Sequence, residues 1–141
     1  GELEVVNGAV VTTQVLTLGE FPGSSGSVLV SGPGSRLVPK FGLNLFAGSV
    51  TVENGGLIDL GTTGDVIVLQ GASITGNGTI RSDVVNFGTI SPAPAAGASA
   101  SYATLTLTGE YQQVGVDPKS TASRPWRAGC SSLCRPGLIR R

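Results

Sequence analysis

Three carboxylates, Glu53, Asp59 and Asp65, fall within thirteen residues of one another. Oxygen ligands aligned on one wall of a fold are what a calcium ion or a sugar takes. No Asp-rich Gly-Gly-x-Gly-x-Asp nonapeptide accompanies them, so their plain reading is as solvated turn residues that keep the surface soluble. The bases near them are Arg36, Lys40 and Arg81, a thin supply for the Asp, Lys and Arg groove of a polysaccharide-active enzyme. The sequence contains no His, so a Ser-His-Asp triad, a Cys-His dyad, a His-bearing zinc site and an imidazole base cannot be built from it. Cys130 and Cys134 supply two thiols where a structural zinc takes four ligands, and a local disulfide and a pair of free thiols both stay open. Thr104, Thr106 and Thr108 point one way along a strand, as an ice- or crystal-binding face requires. The earlier repeats carry Glu4, Leu29 and Thr51 instead. No catalytic, cofactor-binding or metal-ligating residue is assigned on this reading, and no cofactor is expected.

The elements that position these residues follow from an internal repeat. GELEVVNGAVV, residues 1–11, lies over GSVTVENGGLI, residues 48–58, and the same kernel recurs between them as GSVLVSGPGSRL from Gly26. The first apolar residues of the kernels, Leu3, Val28 and Val50, place one unit every 22 to 25 residues. Within each kernel the apolar residues alternate, as Leu3 and Val5, Val28 and Val30, Val50 and Val52. That period puts them on one side of a short strand and Glu4, Leu29 and Thr51 on the other. VLTLG from Val15 and GLNLF from Gly42 repeat between the kernels, so each unit holds at least two strands. Asn-Gly pairs at Asn7-Gly8, Asn54-Gly55 and Asn77-Gly78 mark turns that accept positive φ. Asn-Gly also signals an antiparallel hairpin, but a meander gives no reason for a unit recurring at this length with its turns in register. A solenoid does, because each coil must turn at the same corner to stack on its neighbour. Asn7, Asn54 and Asn77 are then expected to form part of a turn ladder.

Charge divides the chain. Lys and Arg together number 9, as do Asp and Glu, for a formal net charge of zero. All nine acids and three bases lie in residues 1–117, whereas 118–141 carry Lys119, Arg124, Arg127, Arg135, Arg140 and Arg141 and no acid. The first piece is minus six and the second plus six. Residues 118–141 lack strand alternation and include three prolines and Trp126. They read as a disordered end, or as a basic arm folding onto an acidic surface. Their cations are dispersed by Pro and Gly, and one Trp makes no stacking ladder, so no nucleic acid is expected as a partner. No apolar run reaches the length of a membrane-spanning helix, and no membrane insertion by this segment is expected. The first residue is Gly1 rather than Met, which suits a processed chain or a piece of a longer one.

GSSGSVLVSGPGSRL followed by GLNLFAGSVTVENGGLIDLG resembles the β-repeat of large bacterial surface proteins, the autotransporter (type V secretion) and PEP-CTERM-associated repeats. GASITGNGTIRSDVVNFGTISPAP and then ATLTLTGEYQQ resemble the closing section of autotransporter-like passengers. The resemblance covers Gly1 to about Gln113. It implies a right-handed parallel β-helix, exported to or beyond the outer membrane, with a structural, adhesive or matrix role, and it carries over no catalytic residue. One departure is PAPAAGASASYA, residues 92–103, which is longer than the usual link and suggests an extruded loop in the last coil. The other is the basic C-terminus.

The expected fold is therefore all-β, a right-handed β-solenoid of about five coils over residues 1–113, followed by a basic tail over 114–141. The expected function is that of a non-enzymatic structural or adhesive module of a surface-exposed or secreted bacterial protein. Its partners would be a cell-surface glycan or a host or matrix surface, together with end-to-end self-association through residues 1–11. The alternative is a polysaccharide-active β-helix enzyme of lyase or hydrolase type.

Overall fold

The computed structural model describes residues 1–95 and 102–115. Among them every regular element is a strand: β1 Glu2–Val6, β2 Val10–Leu18, β3 Gly26–Ser31, β4 Arg36–Leu45, β5 Gly48–Glu53, β6 Leu57–Asp59, β7 Asp65–Val68, β8 Ala72–Gly76, β9 Thr79–Arg81, β10 Asp83–Asn86, β11 Thr89–Pro92, β12 Thr106–Leu107 and β13 Tyr111–Gln113. All pairings between them are parallel. Each strand pairs with its counterpart one repeat away, so the chain is a parallel β-solenoid of about five coils and the meander is excluded. The turns at Asn-Gly are corners of coils rather than hairpin tips.

Each coil contributes to three stacks. The first is the five-stranded sheet β1-β3-β5-β8-β11. The second runs through the first half of β2 and of β4, then β6, β9 and β12, and the third through the second halves of β2 and β4, then β7, β10 and β13. Because β2 and β4 pass round the corner between them, the second and third stacks join as one eight-stranded sheet. The register between β2 and β4 shifts between Thr13 and Val15. From the third coil onward the corner breaks the strand in two, which is why β6 and β7, and likewise β9 and β10, are separate elements. Sequence periodicity alone requires only two strands per coil. The third stack is what it misses.

Inward side chains form continuous columns. In the first stack Leu3, Val28, Val50, Ile74 and Ile90 are in register from coil to coil. The second stack contributes Val11, Leu37, Ile58, Ile80 and Leu107, and the third Leu16, Leu43, Val66 and Val84. Members in the middle coils are fully buried and belong to one cluster, whereas Leu3, Val11, Leu16, Ile90 and Leu107 at the two ends are only partly covered. Each fully buried aliphatic side chain contributes roughly 1.5–3 kcal/mol relative to exposure. The core thus runs along the solenoid axis, and each coil depends on its neighbours for its burial.

Corners depend on backbone that other residues cannot supply. Gly48 has φ +121°, and a Cβ there would lie 2.0 Å from the carbonyl oxygen of Gly26. Asn7 and Asn54 hold φ of 57° and 54°, the left-handed conformation that Asn tolerates with Gly after it. The third Asn-Gly differs. Gly76, just before Asn77, takes φ +128°, and a Cβ on Gly78 would meet Val52 Cγ1 at 2.6 Å. Here Gly78 is required by close packing against the preceding coil rather than by positive φ.

In the last coil residues 93–105 separate β11 from β12, where residues 54–56 suffice between β5 and β6. The middle of the expected extruded loop, residues 96–101, lies outside the described residues, as do the basic tail over 118–141 and both cysteines.

Candidate functional site

The outer wall of the second stack brings opposite charges together. Arg36 begins β4, Asp59 ends β6 and Arg81 ends β9, so three consecutive coils each place one charged side chain there. Arg36 Nη2 donates to Asp59 Oδ2 at 2.6 Å, and Arg81 Nε lies 3.7 Å from Oδ1. Oδ1 also accepts the Gly61 N–H at 3.0 Å. The Asp59 side chain is 8% exposed, against 46% and 57% for the two arginines. Burial pushes its pKa up, but the Arg36 hydrogen bond, the Gly61 N–H and the charges of Arg81 and Arg36 outweigh that and hold it below the ordinary aspartate value. An ionised carboxylate clasped in this way is a poor general acid. Its geometry is that of a cross-coil tie.

The other two carboxylates of the sequence triplet go elsewhere. Glu53 ends β5 in the first stack, buried at the corner, where it accepts a hydrogen bond from Ser31 Oγ at 3.3 Å. Asp65 opens β7 in the third stack, exposed and in register with Asp83. The three do not converge. Among the described residues no group of three or more His, Cys, Asp and Glu side chains is placed to hold a metal ion. Lys40 stays exposed at the corner of the second coil, its carbonyl accepting from Thr63 Oγ1.

The asparagine ladder forms in part. Asn54 N–H donates to Asn77 Oδ1 at 2.9 Å, and Asn54 Nδ2 to Ser31 Oγ at 3.3 Å. At the Asn7 corner the link to the next coil is made differently, by Gly8 N–H donating to the buried Ser35 Oγ at 2.9 Å. Asn7 itself makes no ladder contact with the other two.

A feature that sequence reasoning overlooks is the outer face of the first stack. Ser27, Ser49, Ser73 and Thr89 occupy one outward column, and Thr51, Thr75 and Ser91 the next, with Leu29 and Glu4 at its first-coil end. The Thr51 and Thr75 hydroxyls lie 3.5 Å apart. The strands that carry successive members of a column are about 4.8 Å apart. The signal is present as Gly-Ser-Val, Gly-Ser-Val, Ala-Ser-Ile and Gly-Thr-Ile, whose second residues fall on the outward side. By contrast, Thr104, Thr106 and Thr108 lie exposed on the last coil, and Thr106 has Thr79 as its in-register neighbour.

The two ends of the solenoid differ. At the first coil, β1 and β2 each pair on one side only, and a hollow of about 380 Å³ opens beside Leu3, Leu16, Leu18 and Phe21. At the last described coil, the inward column Leu18, Leu45, Val68 turns polar with Asn86 and Gln113. Asn86 Nδ2 donates to Tyr111 Oη at 3.0 Å and to Gln113 Oε1 at 2.9 Å. Comparison with family models, curated proteins and solved structures finds no match for this chain.

Proposed function

We propose that the chain is a non-enzymatic structural module of a surface-exposed or secreted bacterial repeat protein, and that its adhesive surface is the outer face of the first stack. What carries the reading is the in-register hydroxyl array on a wall backed by buried aliphatic columns. A rigid, repeating set of donors and acceptors suits a repeating polar partner, and a glycan chain is the class of ligand that offers hydroxyls at regular intervals. The bacterial surface setting rests on the resemblance of the repeats, and the outward location follows from it. Retention on immobilised surface polysaccharide, weakened by Thr51→Val with Thr75→Val while far-UV circular dichroism stays β-type, is the expected result. Equal retention of the variant and the parent chain would sink the adhesive assignment.

The first-coil end supports self-association as well. Its strand edges and half-covered Leu3, Val11 and Leu16 are a template for another β-coil. Sedimentation at rising concentration is expected to show larger species that Leu3→Glu with Val11→Glu abolishes. A parent chain that stays monomeric throughout would refute this part.

One observation favours a second reading, a polysaccharide-active enzyme: Arg36, Asp59 and Arg81 share one wall. Release of unsaturated uronate or of reducing ends from polyuronates, lost in Asp59→Asn, would establish it in place of the first.

A further inference from the structure

The outer wall of the third stack keeps one kind of residue along each of its two edges, while its middle row runs Asn44, Ile67, Val85 and Gln112. Asp65 and Asp83 are in register, and Glu110 continues their column, its N–H donating to Asp83 Oδ1 at 2.8 Å. Ile67 and Val85 follow in the middle of the wall, also in register. At the far corner the backbone hydrogen bonds Leu69 N to Leu45 O, Phe87 N to Val68 O and Val114 N to Asn86 O stack Leu69, Phe87 and Val114 on Phe46. Three successive coils thus repeat an acid at one edge and an apolar side chain at the other. These apolar residues are half-buried, and Phe46 is 41% exposed.

None of the three acids has a cation within ion-pair distance among the described residues, since both ion pairs found there go to Asp59. Like charges in register across strands are destabilising, so the column calls for positive charge from elsewhere. A second copy answers poorly: pairing two such walls about a two-fold axis sets carboxylates against carboxylates or against the apolar corner. The chain's own C-terminal segment answers well. Residues 118–141 carry six cations, no acid, and the apolar Trp126, Leu133, Leu138 and Ile139. The chain leaves the described structure at Val114 and Gly115, at the foot of the apolar column. Three coils span about 14 Å at the strand spacing, well inside the reach of a segment this long at about 3.3 Å per extended residue.

We propose that residues 118–141 dock in cis on the wall formed by β7, β10 and β13, with their cations over Asp65, Asp83 and Glu110 and their apolar side chains over Leu69 and Phe87. Trp126 is the single tryptophan of the chain, so its fluorescence reads the tail alone. In the full chain at low salt the expected emission is blue-shifted and protected from acrylamide. That protection is lost in roughly 1 M salt, where the screening length falls to about 3 Å, and in Asp65→Lys with Glu110→Lys. Asp83 is left intact because it accepts the Glu110 N–H. Circular dichroism and the unfolding midpoint of the double variant establish that the solenoid survives, and Leu69→Ser offers an independent disruption without a charge change. Emission of a fully solvated tryptophan at low salt would overturn the proposal, as would protection indifferent to all three substitutions. Protection that grows with protein concentration would overturn it in favour of docking on another copy.

Discussion

Asn86 and Gln113 stand in register on adjacent coils and hydrogen-bond twice, Asn86 Nδ2 to Gln113 Oε1 at 2.9 Å and Gln113 Nε2 to Asn86 O at 3.1 Å. Tyr111 joins them, donating from its hydroxyl to Gln113 Oε1, and Asn86 Oδ1 accepts the Gly88 N–H at 2.9 Å. The column below is aliphatic, so this network ends that column in a polar layer. Asn86 is 2% exposed, and a partner left unsatisfied there costs about 1–3 kcal/mol. Asn86→Ala is therefore expected to lower the unfolding free energy by that amount in urea titration. Asn86→Gln, longer by one methylene, is expected to lose as much. A midpoint equal to the parent's would show that the layer is not structural.

The Arg36–Asp59–Arg81 tie predicts a pH dependence of definite sign. The folded pKa of Asp59 is depressed below the ordinary aspartate value of 3.8. The stability it contributes is present in full above that value and is lost as pH falls through the lower folded pKa. Asp59→Asn is expected to be the less stable protein at neutral pH by on the order of 1 kcal/mol, since its partners are half exposed. The gap should close under acid conditions below the folded pKa. Urea midpoints of both proteins across that range check it, and a constant gap would refute the linkage.

Two glycines separate strain from crowding. Gly48→Ala places a methyl 2.0 Å from the Gly26 carbonyl oxygen at φ +121°, and a loss of several kcal/mol, enough to abolish cooperative unfolding, is expected. Gly61 has φ +64°, and a Cβ there would meet nothing within 4 Å. Gly61→Asn, a residue that tolerates this conformation, is expected to cost under about 1 kcal/mol. Thermal melts of the two variants give the contrast.

Column position predicts the cost of truncation. Ile74, in the fourth coil, is completely buried, while Leu3, its counterpart at the first coil, is only partly so. Ile74→Ala is expected to cost about 2–5 kcal/mol, and Leu3→Ala clearly less because water already reaches the site. Equal losses would mean that the first coil is covered in solution, which would itself support association through that end.

Much of the fold is legible in a few residues. Leu3, Val28 and Val50 announce the period, and Val5, Val30 and Val52 the inward face, because a strand alternates sides every residue and a coil must repeat its corner to stack. The third stack is harder to see. DVIV from Asp65 and DVVN from Asp83 are short, and they follow the previous strand at unequal distances, since a corner can absorb extra residues without disturbing register. The charged wall is legible only as composition: Glu53, Asp59 and Asp65 are close in sequence, yet each falls in a different stack, because a coil turns between them.

The sequence by itself determined that this is a stack of β-coils with an aliphatic interior, since alternation and periodicity are local properties that any solenoid must satisfy. Which polar residues become neighbours was decided by tertiary structure alone. Arg36 meets Asp59, Thr51 meets Thr75 and Asn86 meets Gln113 across 23, 24 and 27 residues respectively. Those separations differ because each coil spends a different length on its corners, and only the hydrogen-bonded register between coils converts unequal lengths into aligned side chains.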